Sequence, residues 1–259
     1  MTKPAQMQKA SQAWKKRGLK VALVPTMGAL HDGHLALIRR AASLADRVVV
    51  SAYVNPTQFN SRADLRRYPQ SPGRDAALAK RAGADVLFRP GNLYAKDAST
   101  WVEETDRSRG RCGGRRPGHF RGVATVVTKL LNLVQPEVAV FGDKDRQQCE
   151  VIERLVRDLF LPVRIVRHPV VREWDGLPLS SRNRRLNRGQ RGVAGQWSQA
   201  LAQAARSGAR RAAAAYRQRL RRIRGIRGEY VEISDGHLHA AAAVGNVRLI
   251  DHRSLGRRR

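Results

Sequence analysis

The stretch Val21-Ala-Leu-Val-Pro-Thr-Met-Gly-Ala-Leu-His-Asp-Gly-His34 opens on four apolar residues and ends on two histidines. An amphipathic run over 35–45 follows it. The pattern reads as strand, glycine-bearing loop and helix. A helix start presents free backbone N–H groups and a partial positive charge, so it suits an anion such as phosphate. Gly28 and Gly33 have no Cβ to hold a ligand away from the backbone. His31 and His34 can donate hydrogen bonds to phosphate oxygens. The same histidines also read as a cap and a packed ring, or as metal ligands three residues apart. No further His, Cys or carboxylate cluster nearby completes a metal site, so metal ligands stay unassigned.

Outward from this stretch, strands and helices alternate. Val48-Val-Val-Ser-Ala-Tyr-Val54 is a continuous apolar run, as expected of a strand buried on both faces. Further strands are expected at 85–88, 137–141 and 163–166, with helices at 74–82, 123–134 and 146–160 between them. A polar surface helix is expected around Trp14. Residues 91–118 are rich in Gly and Arg and read as loop. Such alternation implies right-handed βαβ units and a parallel sheet, an α/β fold. Composition shifts near residue 176: from 176 to 228 there is no Asp or Glu, while arginines recur. Alanine-rich helices over 193–226 and two short strands, 229–233 and 247–250, mark a smaller α+β unit. The division expected is 1–175 and 176–259.

The formal net charge of +29 suggests a polyanion partner. Its distribution argues against specific nucleic-acid binding. Arginine is scattered through nearly every segment, and aromatics are only 5% of the chain, so there is no stacking platform. The acid-free helices read either as solvated faces or as a cationic lid over an anionic ligand, and the first reading is preferred. No apolar run is long enough to cross a bilayer, and no apolar N-terminal h-region is present. Cys112 and Cys149 make no disulfide framework, so a reducing cytoplasm is the simplest location.

Ligands in open α/β sheets bind beyond the carboxyl ends of strands. Polar segments recur there. Gln58, in Asn55-Pro-Thr-Gln-Phe59, offers a donor and an acceptor for a hydroxyl or a small carboxylate. Arg116-Pro-Gly-His-Phe-Arg-Gly122 is another anion-friendly loop. In Gly142-Asp-Lys-Asp-Arg-Gln-Gln148, Lys144 is a point charge for phosphate, Asp145 can hold ribose hydroxyls and Gln148 can bond a polar substrate. Val171 offers apolar contact, and the serines and Arg182 of Leu179-Ser-Ser-Arg-Asn183 can close on phosphates.

Together with Phe141-Gly-Asp-Lys-Asp145 and Asp175-Gly-Leu-Pro-Leu-Ser-Ser-Arg-Asn183, these motifs strongly resemble the pantothenate synthetase (pantoate–β-alanine ligase) family. The resemblance runs in order over about residues 20 to 187. It implies a HIGH-signature nucleotidyltransferase with a Rossmann-like catalytic domain and a small C-terminal lid domain. It also implies a cytoplasmic homodimer with ATP and Mg²⁺ as cofactors and pantoate and β-alanine as substrates. ATP and pantoate would give pantoyl adenylate, which β-alanine would convert to pantothenate and AMP. By the same resemblance, ATP would be lined by Met27, Gly28, Ala29, Leu30, His31, Asp32, Gly33 and His34. Gly142, Asp143, Lys144, Asp145, Val171, Leu179, Ser180, Ser181 and Arg182 would contact it too. Gln58 and Gln148 would bind pantoate, Gln58 β-alanine as well, and His119 would lie near the pantoate end. Catalysis would fall to His34, as proton donor to the leaving phosphate, with His31, Lys144 and Arg182. The chain departs from the family in having Asp143 for Glu, Gln70 for Arg, Arg146 for an aromatic and Cys149 for an aliphatic residue. Its C-terminal part looks shortened between Asp235 and Ala240.

Overall fold

The computed structural model describes residues 1–256; the last three positions of the expected C-terminal domain lie outside the described residues. The chain separates into two compact units. One holds 1–143 and 147–169, the other 144–146 and the residues from 170 onward.

The first unit starts with helix α1 (Pro4–Lys16) and strand β1 (Val21–Thr26). Then come α2 (Asp32–Ala42), β2 (Arg47–Ala52), α3 (Arg62–Arg66), α4 (Pro72–Arg81) and β3 (Val86–Phe88). It closes with α5 (Arg111–Arg115), α6 (His119–Val134), β4 (Val138–Gly142), α7 (Arg146–Asp158) and β5 (Arg164–His168). The strands pair in parallel in the order β3-β2-β1-β4-β5. Val21 to Val24 are wholly buried, because β1 is central and covered on both faces. Leu35, Ile38 and Ala41 share one face of α2 and pack with Ala22, Val24, Val48 and Val50. Strand order reverses between β1 and β4. That switch point sets the crevice at the end of β1, where the histidine-bearing loop begins.

Two expectations for this unit need correction. The stretch 91–118 is not all loop, since it contains α5. Helix α6 starts at His119 rather than Val123. Gly118, at φ +75°, turns the chain into it, and His119 to Gly122 form its first turn.

The second unit contains α8 (Arg188–Ala205), α9 (Ala209–Leu220) and an antiparallel sheet of β6 (Ile226–Ser234), β7 (His237–Val244) and β8 (Val247–Ser254). The two expected strands are accompanied by a third, β7. Its centre, Ala240 to Ala243, has low strand propensity and no polar alternation, so no pattern announces it. Ala240 and Ala242 are wholly buried, in one cluster with Trp197 and Leu201 of α8. The stretch after Asp235 that looked shortened is a tight hairpin. Asp235 and Gly236 both take positive φ, +47° and +71°, as a type I′ turn requires. The alanine-rich stretch is two helices divided at Gly208 (φ +77°). Arg210, Arg211, Arg217 and Arg221 are exposed, while Ala212 and Tyr216 are the buried residues of α9. The Trp197 indole donates to the Tyr216 hydroxyl at 2.8 Å, and burial pushes that phenol up to about 12.

Candidate active site

The loop between β1 and α2 is shaped by its own backbone demands. Gly28 and Ala29 take φ of +80° and +51°. The Gly28 N–H donates to Thr26 Oγ1 at 3.1 Å. The Ala29 and Leu30 N–H groups donate to the two carboxylate oxygens of Asp75, each at 2.9 Å. His31 is the extended residue before α2, and its N–H lies 3.4 Å from His34 Nδ1. The two imidazoles stack with centroids 4.0 Å apart. The backbone donors of 28–31 are therefore committed within the protein. What this helix start offers an anion is the N–H groups of Asp32 and Gly33, which bond to no other described residue, and the histidine rings. Gly28 serves the turn and the approach of Asp75, whose Oδ2 would lie 3.1 Å from a Cβ there.

Beyond β2 the chain makes a short helical turn, Pro56–Gln58. The Gln58 side chain is held at both ends: Oε1 accepts from Asn55 Nδ2 at 3.0 Å, and Nε2 reaches Met27 Sδ at 3.0 Å. The second contact joins this turn to the histidine-bearing loop. Asn55, 1% exposed, also donates to the Gly122 carbonyl at 3.1 Å and accepts from the Tyr94 hydroxyl at 3.0 Å. Burial raises the Tyr94 phenol above its ordinary pKa, which keeps it a neutral donor.

The buried His119 at the start of α6 faces the same turn. Its Nδ1 lies 2.7 Å from the Gln58 carbonyl oxygen and its Nε2 3.1 Å from Arg116 Nη1. The carbonyl requires a proton on Nδ1, and the guanidinium requires an acceptor at Nε2. The ring is thus the neutral Nδ1–H tautomer. Arg116 also donates to the Gln58 carbonyl, at 3.0 Å. In this structure His119 grips the backbone of Gln58.

Close packing explains Gly122. A Cβ there would lie 2.6 Å from the Thr57 carbonyl oxygen and 2.8 Å from the Gln58 nitrogen. Gly122→Ala is expected to shift that turn and lower stability by about 1–3 kcal/mol, which thermal melting checks.

At the end of β4, the Asp143 carboxylate lies 3.4 Å from Arg167. Arg167 also binds Glu153, which holds the guanidinium proton more firmly than usual. The neighbouring glutamines have different employment. Gln147 is buried; it accepts from Cys112 N at 2.9 Å and donates to the Arg107 and Arg109 carbonyls at 3.0 and 2.9 Å. Gln148 is only partly buried, and its side chain bonds to no other described residue.

In the second unit, Lys144 Nζ lies 3.3 Å from Asp145 Oδ1. The Leu179 N–H donates to the Val171 carbonyl at 3.0 Å, so these two residues belong to one paired turn. Ser180 then caps the short helical turn Ser181–Arg185 by accepting from Arg182 N at 3.3 Å. Ser181 is buried and Arg182 partly buried.

Sequence reasoning missed Asp75, Asn55, Tyr94 and Arg116. Asp75 follows Ser71-Pro72 and reads as an ordinary acidic residue in a helix first turn; nothing local announces its bonds to residues 29 and 30.

A parallel sheet whose switch point carries two histidines at a helix start, beside a held glutamine, defines a nucleotide-handling α/β enzyme. The pantoate-beta-alanine ligase family model matches residues 1–254. A pantothenate synthetase of Myxococcus xanthus is 48% identical over 266 residues, covering 93% of this chain and 91% of that protein. The crystal structure of pantothenate synthetase from Thermus thermophilus superposes with a TM-score of 0.91 at 38% identity, covering 99% of each chain. That of pantoate-beta-alanine ligase from Francisella tularensis, complexed with beta-gamma ATP and beta-alanine, gives 0.89 at 34% identity, covering 98% of this chain and 97% of that one. The chain belongs to the pantoate–β-alanine ligase family, whose ATP-dependent reaction forms pantothenate. Among the described residues no helix is long and apolar enough to cross a membrane.

Proposed function

We propose that catalysis proceeds through pantoyl adenylate, with the histidine-bearing loop on ATP and Gln58 and Gln148 on pantoate. The observation that carries this reading is the 3.0 Å contact between Met27 Sδ and Gln58 Nε2. It brings the loop that leads into α2 against Gln58, a group suited to a small hydroxy acid. A pantoate carboxylate oxygen attacks the α-phosphorus of ATP, and pyrophosphate leaves. The amine of β-alanine then attacks the acyl carbon, and AMP leaves.

The first step brings two anions together, so positive groups have to offset charge that spreads in the transition state. His34 donates to the leaving phosphate, supported by His31 and the N–H groups of Asp32 and Gly33. Lys144 and Arg182 supply further positive charge. Met27 to Leu30, Gly142, Asp143, Asp145, Val171 and Leu179 to Ser181 complete the ATP contacts, and Gln58 also binds β-alanine. His119 acts at the pantoate end by holding the Gln58 backbone. Holding both reactants in line supplies much of the remaining rate. Residues 1–175 form the catalytic domain and 176–259 the lid.

Among the described residues no group of three or more His, Cys, Asp or Glu is arranged to hold a metal. This suits Mg²⁺ carried by the ATP phosphates with one or two carboxylates, Asp143 and Asp145 being nearest in sequence to Lys144. When bound, it offsets phosphate charge. The enzyme works in the cytoplasm as a homodimer on pantoate, β-alanine and ATP, without specific nucleic-acid binding.

The test is AMP release with single-substrate omissions. AMP accumulates over many turnovers only when ATP, pantoate and β-alanine are all present. Multiple turnovers without pantoate or without β-alanine refute the reading.

A further inference from the structure

We propose that Asp75 is a positioning residue for adenylyl transfer, fixing the histidine-bearing loop through the backbone amides of Ala29 and Leu30. The inference rests on the reading that His31 and His34 act on the phosphates of ATP. Asp75 lies on α4, remote in sequence from the loop, and is 3% exposed. A carboxylate in such a place is tolerated only when its oxygens are bonded. Here Oδ2 accepts from Ala29 N and Oδ1 from Leu30 N, both at 2.9 Å, and Oδ1 also takes the Ser71 hydroxyl at 3.0 Å. The Asp75 N–H donates to the Ser71 carbonyl at 2.8 Å, which fixes the residue from its own side.

The loop it holds has two consecutive residues at positive φ, one of them alanine. An L-residue adopts that region only where its surroundings enforce it. Two adjacent N–H groups drawn onto one carboxylate enforce it. The consequence reaches the chemistry. The clasp settles where α2 begins, and so where both imidazoles stand before ATP arrives. It also turns the donors of 29 and 30 away from the ligand, leaving phosphate to the rings and the first turn of α2. Asparagine at position 75 would keep the shape but present an NH₂ group to one of two N–H donors, breaking half the clasp.

Three measurements decide the matter. In the nucleotide-free wild-type enzyme, the Ala29 and Leu30 amides are expected to exchange with solvent as slowly as those of β1; fast exchange overturns the proposal. In Asp75→Asn, pyrophosphate release from ATP and pantoate is expected to fall about tenfold or more. Conversion of supplied pantoyl adenylate with β-alanine should fall by about threefold at most. Gly28→Ala, which strains the same turn and sets a Cβ against Asp75, should give the same split. Equal loss in both half-reactions, or no loss, overturns the proposal. If Asp75→Asn does not fold, Gly28→Ala and the exchange measurement decide. Failure of the underlying reading looks different: His34→Ala would then keep turnover within about threefold of wild type.

Discussion

His34→Ala is expected to lower turnover roughly a hundred- to a thousandfold while the protein keeps its fold. His34 Nδ1 faces the His31 N–H, so the neutral ring carries its proton on Nε2, which makes that nitrogen the donor. Removing one preorganised donor to a developing charge costs about 2.7–4 kcal/mol of transition-state stabilisation. The structural loss is small by comparison. The imidazole is only partly buried, and at 3.4 Å the hydrogen bond it accepts from the His31 N–H is a weak one. Melting should therefore move by a few degrees at most, and KM for ATP should change less than kcat. His34→Gln, which retains a donor, should recover part of the loss. Turnover within about threefold of wild type in His34→Ala would remove this residue from the mechanism.

Asp251→Ala is expected to destabilise the second unit by about 3–5 kcal/mol. The side chain on β8 is only 1% exposed and accepts a bidentate pair from Arg172, at 2.8 and 2.9 Å. It also accepts from His252 N at 2.7 Å, and Arg253 lies 3.4 Å away. Burial lowers the Arg253 pKa, and Asp251 opposes that shift. Alanine would leave two partly buried guanidinium groups facing one another without their shared anion. The backbone bonds from Arg172 and Arg253 to the Gly176 carbonyl remain, so the lower end of the range is expected. Thermal or urea unfolding reads the effect directly. A loss under about 1 kcal/mol would show that the ion pair is not what holds β8.

The parallel sheet was legible because β1, β2 and β4 are covered on both faces, and such strands advertise themselves as continuous apolar runs. The loop carrying the histidine pair was legible because a strand, a glycine-bearing turn and a helix start are written in local sequence. Strand β7 was not, since its alanines are selected for close packing against α8 rather than for strand propensity. The start of α6 was misplaced because Gly122 signals a loop in sequence, whereas its real constraint is the Thr57 carbonyl on another element. Asp75 and His119 mark the general limit. Each acts on backbone atoms far away in sequence, and backbone atoms leave no signature in residue identity. Gln147 and Gln148 show the same limit at close range. One amide anchors the loop before α5 and the other is uncommitted, and only the phase of α7 distinguishes them.

Adenylation of pantoate requires attack by its carboxylate on the α-phosphorus of ATP. Pantoate labelled with ¹⁸O in its carboxylate tests it directly. The expected result is one ¹⁸O atom in the AMP released on formation of pantothenate, because the acyl–oxygen bond breaks when β-alanine attacks. Label in inorganic phosphate instead, with ADP as product, would mean attack at the γ-phosphorus and contradict adenylation at this site.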